Sequence, residues 1–207
     1  MTYIKYPRTP HLAWSPGAAS DDVRIVNTDA FQQREVVVTE KMDGENTSLY
    51  WDHIHARSLD SRHHASRDWV KQWHSRIAHE IPKGWRVCGE NLYAQHSVIY
   101  QQLSSYFYGF SLWNNKNQCL SWAETTEWFG LLDIQAPPVL YQGIWDENTI
   151  SAISVDAETS EGYVVRLADS FAYEDFARKV AKWVRPNHVQ TDQHWMFAEI
   201  VPNGLGE

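Results

Sequence analysis

Cysteine is scarce in this sequence, which contains only Cys88 and Cys119. Two cysteines are too few for the disulfide framework of a small secreted domain, and this pair does not have the spacing of a zinc site. No apolar run reaches the roughly 20 residues that a membrane-spanning helix needs. The N-terminal residues also lack the apolar segment of a signal peptide. These absences predict a soluble, cytoplasmic protein with no membrane attachment.

Positive charge is also in short supply, with 18 lysines and arginines against 26 aspartates and glutamates and a net charge of −8. This balance argues against nonspecific coating of nucleic acids but permits local binding. The basic residues are concentrated in residues 57–86 and 166–185. Six of the ten histidines lie in or beside the first stretch, and His53, His55, His63 and His64 form its most histidine-rich part. Because no zinc-type motif accompanies them, they favour a basic surface that faces solvent or nucleic acid.

The chain has 207 residues, 43% of them hydrophobic, which suits one domain with its own core. Strand and helix patterns alternate without regular βαβ spacing, so we expect an α+β fold with antiparallel sheets flanked by helices. The predicted strands are 36–40, 47–51, 53–59, 85–92, 104–113, 162–167 and 182–185. The predicted helices are 66–80 (capped by Ser66), 121–132, 147–153 and 172–181. The Asp43-Gly44 pair predicts a hairpin between the first two strands.

Lys41 stands at the end of the first predicted strand, between Glu40 and the Asp43-Gly44 turn. A lysine amine attacks an electrophile only when it is neutral, and its ordinary pKa of about 10.4 leaves little neutral amine near pH 7. Nearby cations and burial lower that pKa, whereas carboxylates raise it. A nucleophilic Lys41 therefore needs basic residues or a metal ion beside it. The alternative is a solvated lysine in a turn.

Two further motifs place a carboxylate beside a glycine next to a predicted strand. Glu90 follows Gly89, and Glu161 precedes Gly162. A glycine lets a ligand approach the backbone closely, and carboxylate oxygens suit Mg²⁺. The aromatic run at 105–113 offers rings that either fill the core or stack on a nucleobase.

Together these motifs resemble the covalent nucleotidyltransferase superfamily of ATP-dependent RNA ligases, DNA ligases and mRNA capping enzymes. The matches occur in family order: Lys41-Met42-Asp43-Gly44, Arg57, Gly89-Glu90, Tyr108-Gly109-Phe110, Glu161-Gly162-Tyr163-Val164-Val165, and Lys179 to Lys182. The pattern most resembles the RNA ligases that seal nicked or broken RNA, because Glu40 precedes the lysine and Asn46 follows it by five residues.

The resemblance implies a ligase adenylation domain that uses ATP and Mg²⁺ or Mn²⁺. Lys41 would take AMP from ATP and pass it to an RNA 5′-phosphate, after which a 3′-hydroxyl would displace AMP. The implied catalytic residues are Lys41, Asp43, Glu90, Glu161 and Lys182. The implied ATP-binding residues are Glu40, Lys41, Asn46, Arg57, Glu90, Phe110, Glu161, Lys179 and Lys182. The implied metal ligands, acting partly through water, are Asp43, Glu90 and Glu161.

The sequence departs from the family pattern at two places. Ser111 stands where many relatives carry an acid, and Lys179 and Lys182 are three residues apart where the family usually spaces its lysines by two. Lys179 therefore also fits the end of the preceding helix. Arg62 and Arg67 are interpreted as surface charges that could also grip phosphates.

The chain ends about twenty residues after the last motif. We therefore expect residues 1–207 to form one domain without the OB-fold or helical module that relatives usually add. RNA binding would then come from a local groove or from a partner protein. The alternatives are a minimal ATP-dependent DNA ligase, guanylyl transfer, and a degenerate module that binds RNA ends without chemistry. The intact charged set, Lys41, Glu90, Glu161 and Lys182, argues against the degenerate module.

Overall fold

The computed structural model describes residues 2–60, 62–156, 158–186 and 199–206, and these ranges hold ten strands and four α-helices. The strands are β1 Glu35–Glu40, β2 Glu45–Leu49, β3 Ile54–Ala56, β4 Arg86–Asn91, β5 Phe107–Trp113, β6 Gln118–Cys119, β7 Val139–Ile144, β8 Gly162–Leu167, β9 Phe171–Ala172 and β10 Val180–Val184. The helices are α1 Asp68–Ile77, α2 Trp122–Leu131, α3 Glu147–Ser151 and α4 Phe176–Lys179. None of the helices in the described ranges has the length and apolar character needed to cross a membrane.

The strands form two sheets, one with the order β10-β8-β1-β7 and one with the order β3-β2-β4-β5-β6-β9. Neighbouring strands are antiparallel throughout both sheets. The predicted α+β fold with antiparallel sheets is confirmed.

One core lies between the sheets, because it takes side chains from both of them. Val38 of β1 and Val165 of β8 meet Trp113 of β5 in this core. A second core lies where α1 and α2 pack on the six-stranded sheet, through Val70 and Phe129. Side chains that alternate along a strand serve one face each, so the six-stranded sheet supplies both cores.

Local signals for the helices are largely confirmed. Ser121 and Glu124 form the predicted capping box at the start of α2, with each side chain bonded to the other residue's backbone N–H. Ser66 does not cap α1, because it lies inside a 3₁₀ turn whose own cap is His64. Trp69 and Trp73 pack against the second core, so both lie on the face of this helix that meets the sheet.

The predicted hairpin is wrong. β1 and β2 belong to different sheets, so the Asp43-Gly44 turn passes the chain from one sheet to the other. Gly44 is needed there because a Cβ atom would come within 2.5 Å of the Asn91 carbonyl oxygen. The glycine permits close packing against β4 rather than a tight turn between paired strands.

Further elements differ from the prediction, including the two-residue strands β6 and β9, which were not predicted. The predicted helix 172–181 is reduced to a 3₁₀ turn and the short α4, because Val180 already begins β10. The sequence pattern also missed β7, which follows Pro137-Pro138 and pairs with β1 as an edge strand. β7 leaves most of its side chains exposed, so it lacks the apolar alternation that would have revealed it.

Candidate functional site

A cavity of about 840 Å³ opens between the two sheets. Its volume falls within the roughly 300–1,000 Å³ that is usual for small-molecule sites. The predicted site residues that line it are Glu40, Lys41, Asn46, Arg57, Glu90, Phe110 and Lys182. The fold therefore brings together most of the residues that the sequence motifs selected, although they come from β1, β2, β4, β5, β10 and the turn after β3.

Lys41 immediately follows β1 and is held in place by β8. The pairing of Glu40 with Tyr163 places Lys41 opposite Gly162, whose carbonyl accepts the Lys41 backbone N–H at 2.9 Å. The Lys41 side chain then donates from Nζ to Oε2 of Glu161 at 2.5 Å. Only 22% of the Lys41 side chain is exposed, so the amine lies in the cavity wall rather than in a solvated turn. The alternative interpretation, a solvated lysine in a turn, is therefore wrong.

The charges around Lys41 act on one another. Burial lowers the pKa of Lys41, but the attraction of Glu161, Glu90 and Asp43 outweighs it, so the pKa is raised above its ordinary value. Burial likewise raises the pKa of Glu90 to about 8, although Lys41 opposes the shift. Burial and the nearby Lys41 lower the pKa of Lys182. With protein groups alone, Lys41 is an ammonium ion held by carboxylates.

Asn46 and Phe110 add recognition surfaces to the cavity. Asn46 pairs with Glu90 across β2 and β4, and its buried Oδ1 has no hydrogen-bond partner among the described residues. Such an atom is an acceptor available to a ligand. Phe110 is half-buried in the cavity wall and has the Tyr6 ring edge-on at 5.2 Å.

Three predicted site residues lie outside the cavity wall. Glu161 is behind it and reaches the site through Lys41. Asp43 is buried, and its Oδ2 accepts hydrogen bonds from Ser97 Oγ at 2.7 Å and from the Val98 N–H at 2.8 Å. Lys179 is the last residue of α4, and it is not among the residues that line the cavity.

The carboxylates do not form a ready-made metal cage. Within the described ranges, no group of three or more histidine, cysteine, aspartate or glutamate side chains is placed to hold a metal ion. Mg²⁺ commonly binds proteins through one or two carboxylates, with water and substrate phosphates completing its shell. Glu90 and Glu161, both close enough to Lys41 to raise its pKa, fit a cation of that kind.

Sequence reasoning missed the N-terminal wall of the cavity. Lys5, Tyr6, Pro7 and Thr9 all line it, although this proline-containing stretch carries no strand or helix signal. Its one local clue was Tyr6, an aromatic residue that proves to be 8% exposed.

Arg166 and Arg67 were also missed as cavity residues. Arg166 lines the cavity, and its buried Nη1 has no hydrogen-bond partner among the described residues. Arg67, interpreted from the sequence as a surface charge, is 8% exposed and pairs with Glu45. That interpretation is wrong because Glu45, at the start of β2, neutralises the guanidinium inside the protein.

The four histidines are dispersed over different contacts. His53 stacks on Tyr3, with ring centroids 4.0 Å apart. His55 is buried with its Nδ1 against the Ala56 carbonyl oxygen at 2.6 Å. These histidines are therefore close in sequence but make separate contacts.

Comparison with known proteins gives one family. The family model described as RNA ligase matches residues 34–184. Among curated protein sequences, none matches this chain at a significant level.

Solved structures similar to this fold include several of the RNA ligase of Naegleria gruberi. A form with ATP and Mn has 17% sequence identity and a TM-score of 0.56, covering 78% of this chain and 52% of that one. The form with PPi has 16% identity and a TM-score of 0.56, covering 89% and 61%. A form with AMP and Mn has 16% identity and a TM-score of 0.52, covering 78% and 52%. This chain thus spans between half and about three fifths of the length of those structures.

Proposed function

The chain belongs to the RNA ligase family, and from that premise we propose that it is a cytoplasmic, ATP-dependent RNA ligase with a covalent lysyl-AMP intermediate. The observation that carries the proposal is the position of Lys41. Its side chain lines a cavity of nucleotide size, donates a hydrogen bond to Glu161 and lies near the charges of Glu90 and Lys182. The similar fold of a ligase solved with ATP and Mn supports this assignment.

In the first step, the Lys41 Nζ attacks the α-phosphorus of ATP. A P–N bond forms, the bond to pyrophosphate breaks, and the amine gives up a proton. That proton leaves to solvent, and the hydrogen bond from Nζ to Oε2 of Glu161, at 2.5 Å, positions the amine for the attack. Positioning and neutralisation of oxygen charge supply most of the catalysis in such transfers.

The nucleotide would be held by the groups that line the cavity. Phe110 would stack on adenine and Glu40 would contact it, while Arg57 and Lys182 would neutralise phosphate oxygens. Asn46 offers its Oδ1, which is buried without a partner in the described structure, to a hydroxyl or amino group of a substrate. Lys179, at the end of α4, would contribute charge from outside the wall.

We assign a divalent cation, Mg²⁺ or Mn²⁺, to Glu90 and Glu161, with water and phosphate oxygens as its other ligands. Such a cation would neutralise two of the three carboxylates that raise the pKa of Lys41, and so favour the neutral amine. Asp43 is left out because its Oδ2 is engaged by Ser97 and Val98.

The later steps follow from the same site. An oxygen of the RNA 5′-phosphate attacks the phosphorus of the lysyl-AMP, and the P–N bond breaks. The RNA 3′-hydroxyl then attacks the 5′-phosphorus, forms the phosphodiester and releases AMP. In both steps Lys182 and Arg57 would balance charge on phosphate oxygens.

The test is covalent labelling. The protein is incubated with Mg²⁺ and α-labelled ATP, or with α-labelled GTP, and acid-stable label is counted. We expect label from ATP only, and none in Lys41→Ala. Lys116→Ala, which removes an exposed lysine outside the cavity wall, is the matched control and should label as the parent does.

Label that persists in Lys41→Ala, or no label in the parent protein under any condition, would sink the mechanism. Sealing of matched nicked RNA and DNA duplexes then identifies the polynucleotide, with RNA expected to be sealed faster.

A further inference from the structure

The cavity wall includes a segment that precedes the part of the chain matched by the family model. The model matches residues 34–184, whereas Lys5, Tyr6, Pro7 and Thr9 line the cavity from outside that range. This N-terminal segment therefore lies outside the residues that the family model matches.

The segment is fixed to the site by its aromatic residue and its backbone. Tyr6 is buried and meets the rings of Phe110 and Phe176, each at a centroid distance of 5.2 Å. The Lys5 carbonyl accepts a hydrogen bond from the Tyr173 hydroxyl at 2.7 Å. Residues on either side of Tyr6 therefore stand at defined positions.

The far end of the segment is tied to the strand that carries Lys182. The Lys182 N–H donates to the Pro10 carbonyl at 2.9 Å, and its own carbonyl accepts the Leu12 N–H at 2.8 Å. With both backbone groups of Lys182 engaged, the segment cannot move away without disturbing β10.

Within this anchored segment, Lys5 and Arg8 are both exposed. Neither forms an ion pair with any residue that the structure describes. Arg57 lies nearby: burial lowers its pKa, and the charge of Arg8 lowers it further. Two guanidinium groups held near each other repel unless an anion lies between them.

The surrounding carboxylates offset part of this positive charge: burial and Arg8 lower the pKa of Arg57, while Glu90 and Asp22 act to raise it. Asp22 is engaged by His11 at 3.3 Å and by the Ala19 N–H at 3.1 Å. Among the carboxylates of the cavity wall, Glu90 faces Lys41 and Glu45 pairs with Arg67, so Glu40 and Asp60 remain as counter-charges. Arg62 lines the cavity on the same wall as Asp60 and adds another cation.

We propose that Lys5 and Arg8, together with Arg57, bind backbone phosphates of the RNA strand whose end enters the cavity. This proposal rests on the proposed function, because it takes RNA as the substrate. Because the net charge of −8 disfavours nonspecific attraction of a polyanion, RNA binding needs a local group of cations. Lys5 and Arg8 are exposed, whereas Lys41 is partly buried in the cavity wall. Exposed cations of this kind suit a long RNA strand, because its backbone phosphates extend beyond the end that reacts at Lys41.

The experiment measures RNA affinity and ATP use separately. Lys5→Ala/Arg8→Ala is made in a Lys41→Ala background, and its binding to a 5′-phosphorylated nicked RNA duplex is followed by anisotropy at several KCl concentrations. We expect affinity to fall by about tenfold at low salt, and the slope of log K against log salt to become shallower by about two. The charge-preserving Lys5→Arg/Arg8→Lys should keep the parent affinity and slope.

Arg76→Ala/Lys116→Ala, which removes two exposed charges outside the cavity wall, is the matched control and should bind RNA like the parent. In the Lys41 protein, the ATP concentration for half-maximal labelling should shift less than the RNA affinity does. The proposal is overturned if the Lys5/Arg8 variant matches the control in affinity and slope, or if only ATP use is impaired. Failure of ATP labelling in the parent would contradict the proposed function. The RNA-binding measurement would still decide whether Lys5 and Arg8 bind the strand.

Discussion

At the residue scale, the buried pair of Arg67 and Glu45 shapes the cavity wall. Both side chains are 10% exposed, and Arg67 donates from Nε to Oε2 of Glu45 at 2.7 Å as well as from Nη2 to Oε1. Two parallel bonds of this kind give the guanidinium one orientation. Both residues line the cavity, but because each neutralises the other, neither offers an unpaired charge to a ligand.

Arg67→Ala should lower the free energy of unfolding by about 3 kcal/mol, because it leaves the Glu45 carboxylate buried and unpaired. Denaturant unfolding measures the change. The matched control is Arg34→Ala, which breaks the exposed pair with Asp169, with side chains 47% and 61% exposed; it should cost less than about 1 kcal/mol. Equal losses in the two variants would contradict the assignment of burial as the cause.

Asp43 offers a second test at this scale, because its carboxylate holds the loop at Ser97 and Val98. Asp43→Ala should lower the free energy of unfolding by about 1–3 kcal/mol, since two donors lose their acceptor. The Mg²⁺ concentration for half-maximal labelling by ATP should stay near the parent value. Glu90→Ala, by contrast, should raise it.

If Asp43→Ala raised the Mg²⁺ concentration for half-maximal labelling as much as Glu90→Ala does, Asp43 would have to be counted as a metal ligand. The sequence motif could not separate these roles. A carboxylate two residues after the lysine looks the same whether it faces a metal ion or the N–H of a distant loop.

At the element scale, the contact between β8 and β10 depends on one glycine. Gly162 has φ of +152°, and a Cβ atom there would lie 2.1 Å from the Trp183 carbonyl oxygen. The close approach keeps Glu161 beside Lys41, because Gly162 also accepts the Lys41 backbone N–H. The glycine in this motif is thus required by strand packing.

Gly162→Ala should lower the free energy of unfolding by more than about 1 kcal/mol, and should also slow labelling of Lys41, because β8 must shift. Gly130→Ala is the matched control. A Cβ atom at Gly130 in α2 meets nothing within 4 Å, so alanine there should stabilise the protein by about 1 kcal/mol. A Gly162→Ala protein with parental stability and labelling would show that the strands accommodate a side chain.

The elements themselves were predictable where the pattern was local. The strand at Gly162–Leu167 and the capped helix after Ser121 follow the sequence closely. The pairing of strands was not predictable in the same way. The apolar run in β1 does not say that its neighbours are β7 and β8 rather than β2.

At the scale of the whole molecule, residues 199–206 return to the loop between β4 and β5. Asn203 is buried: its Nδ2 donates to the Leu92 carbonyl at 2.7 Å, and its Oδ1 accepts the Tyr100 N–H at 2.9 Å. The Tyr100 hydroxyl in turn accepts the Asp43 N–H at 2.9 Å. A continuous chain of hydrogen bonds links this segment to the turn after Lys41.

Asn203→Ala should lower the free energy of unfolding by about 1–3 kcal/mol, because buried backbone groups lose their partners. Hydrogen exchange should report faster exchange at the Tyr100 N–H than in the parent. Gln102→Ala, an exposed residue of the same loop, is the control and should change neither quantity. Unchanged exchange at the Tyr100 N–H in Asn203→Ala would show that the loop between β4 and β5 does not depend on Asn203 for its stability.

The sequence by itself determined which groups we propose to carry the chemistry and their order along the chain, from Lys41 through Glu90 and Glu161 to Lys182. It also determined the helices and strands whose signals are local, since side-chain periodicity and capping act over a few residues. Only the tertiary structure decided that the Asp43-Gly44 turn joins two sheets, that Tyr6 closes the cavity, and that Arg67 is neutralised. Those outcomes depend on contacts between residues far apart in the chain, and no local pattern specifies which distant partner satisfies a buried group.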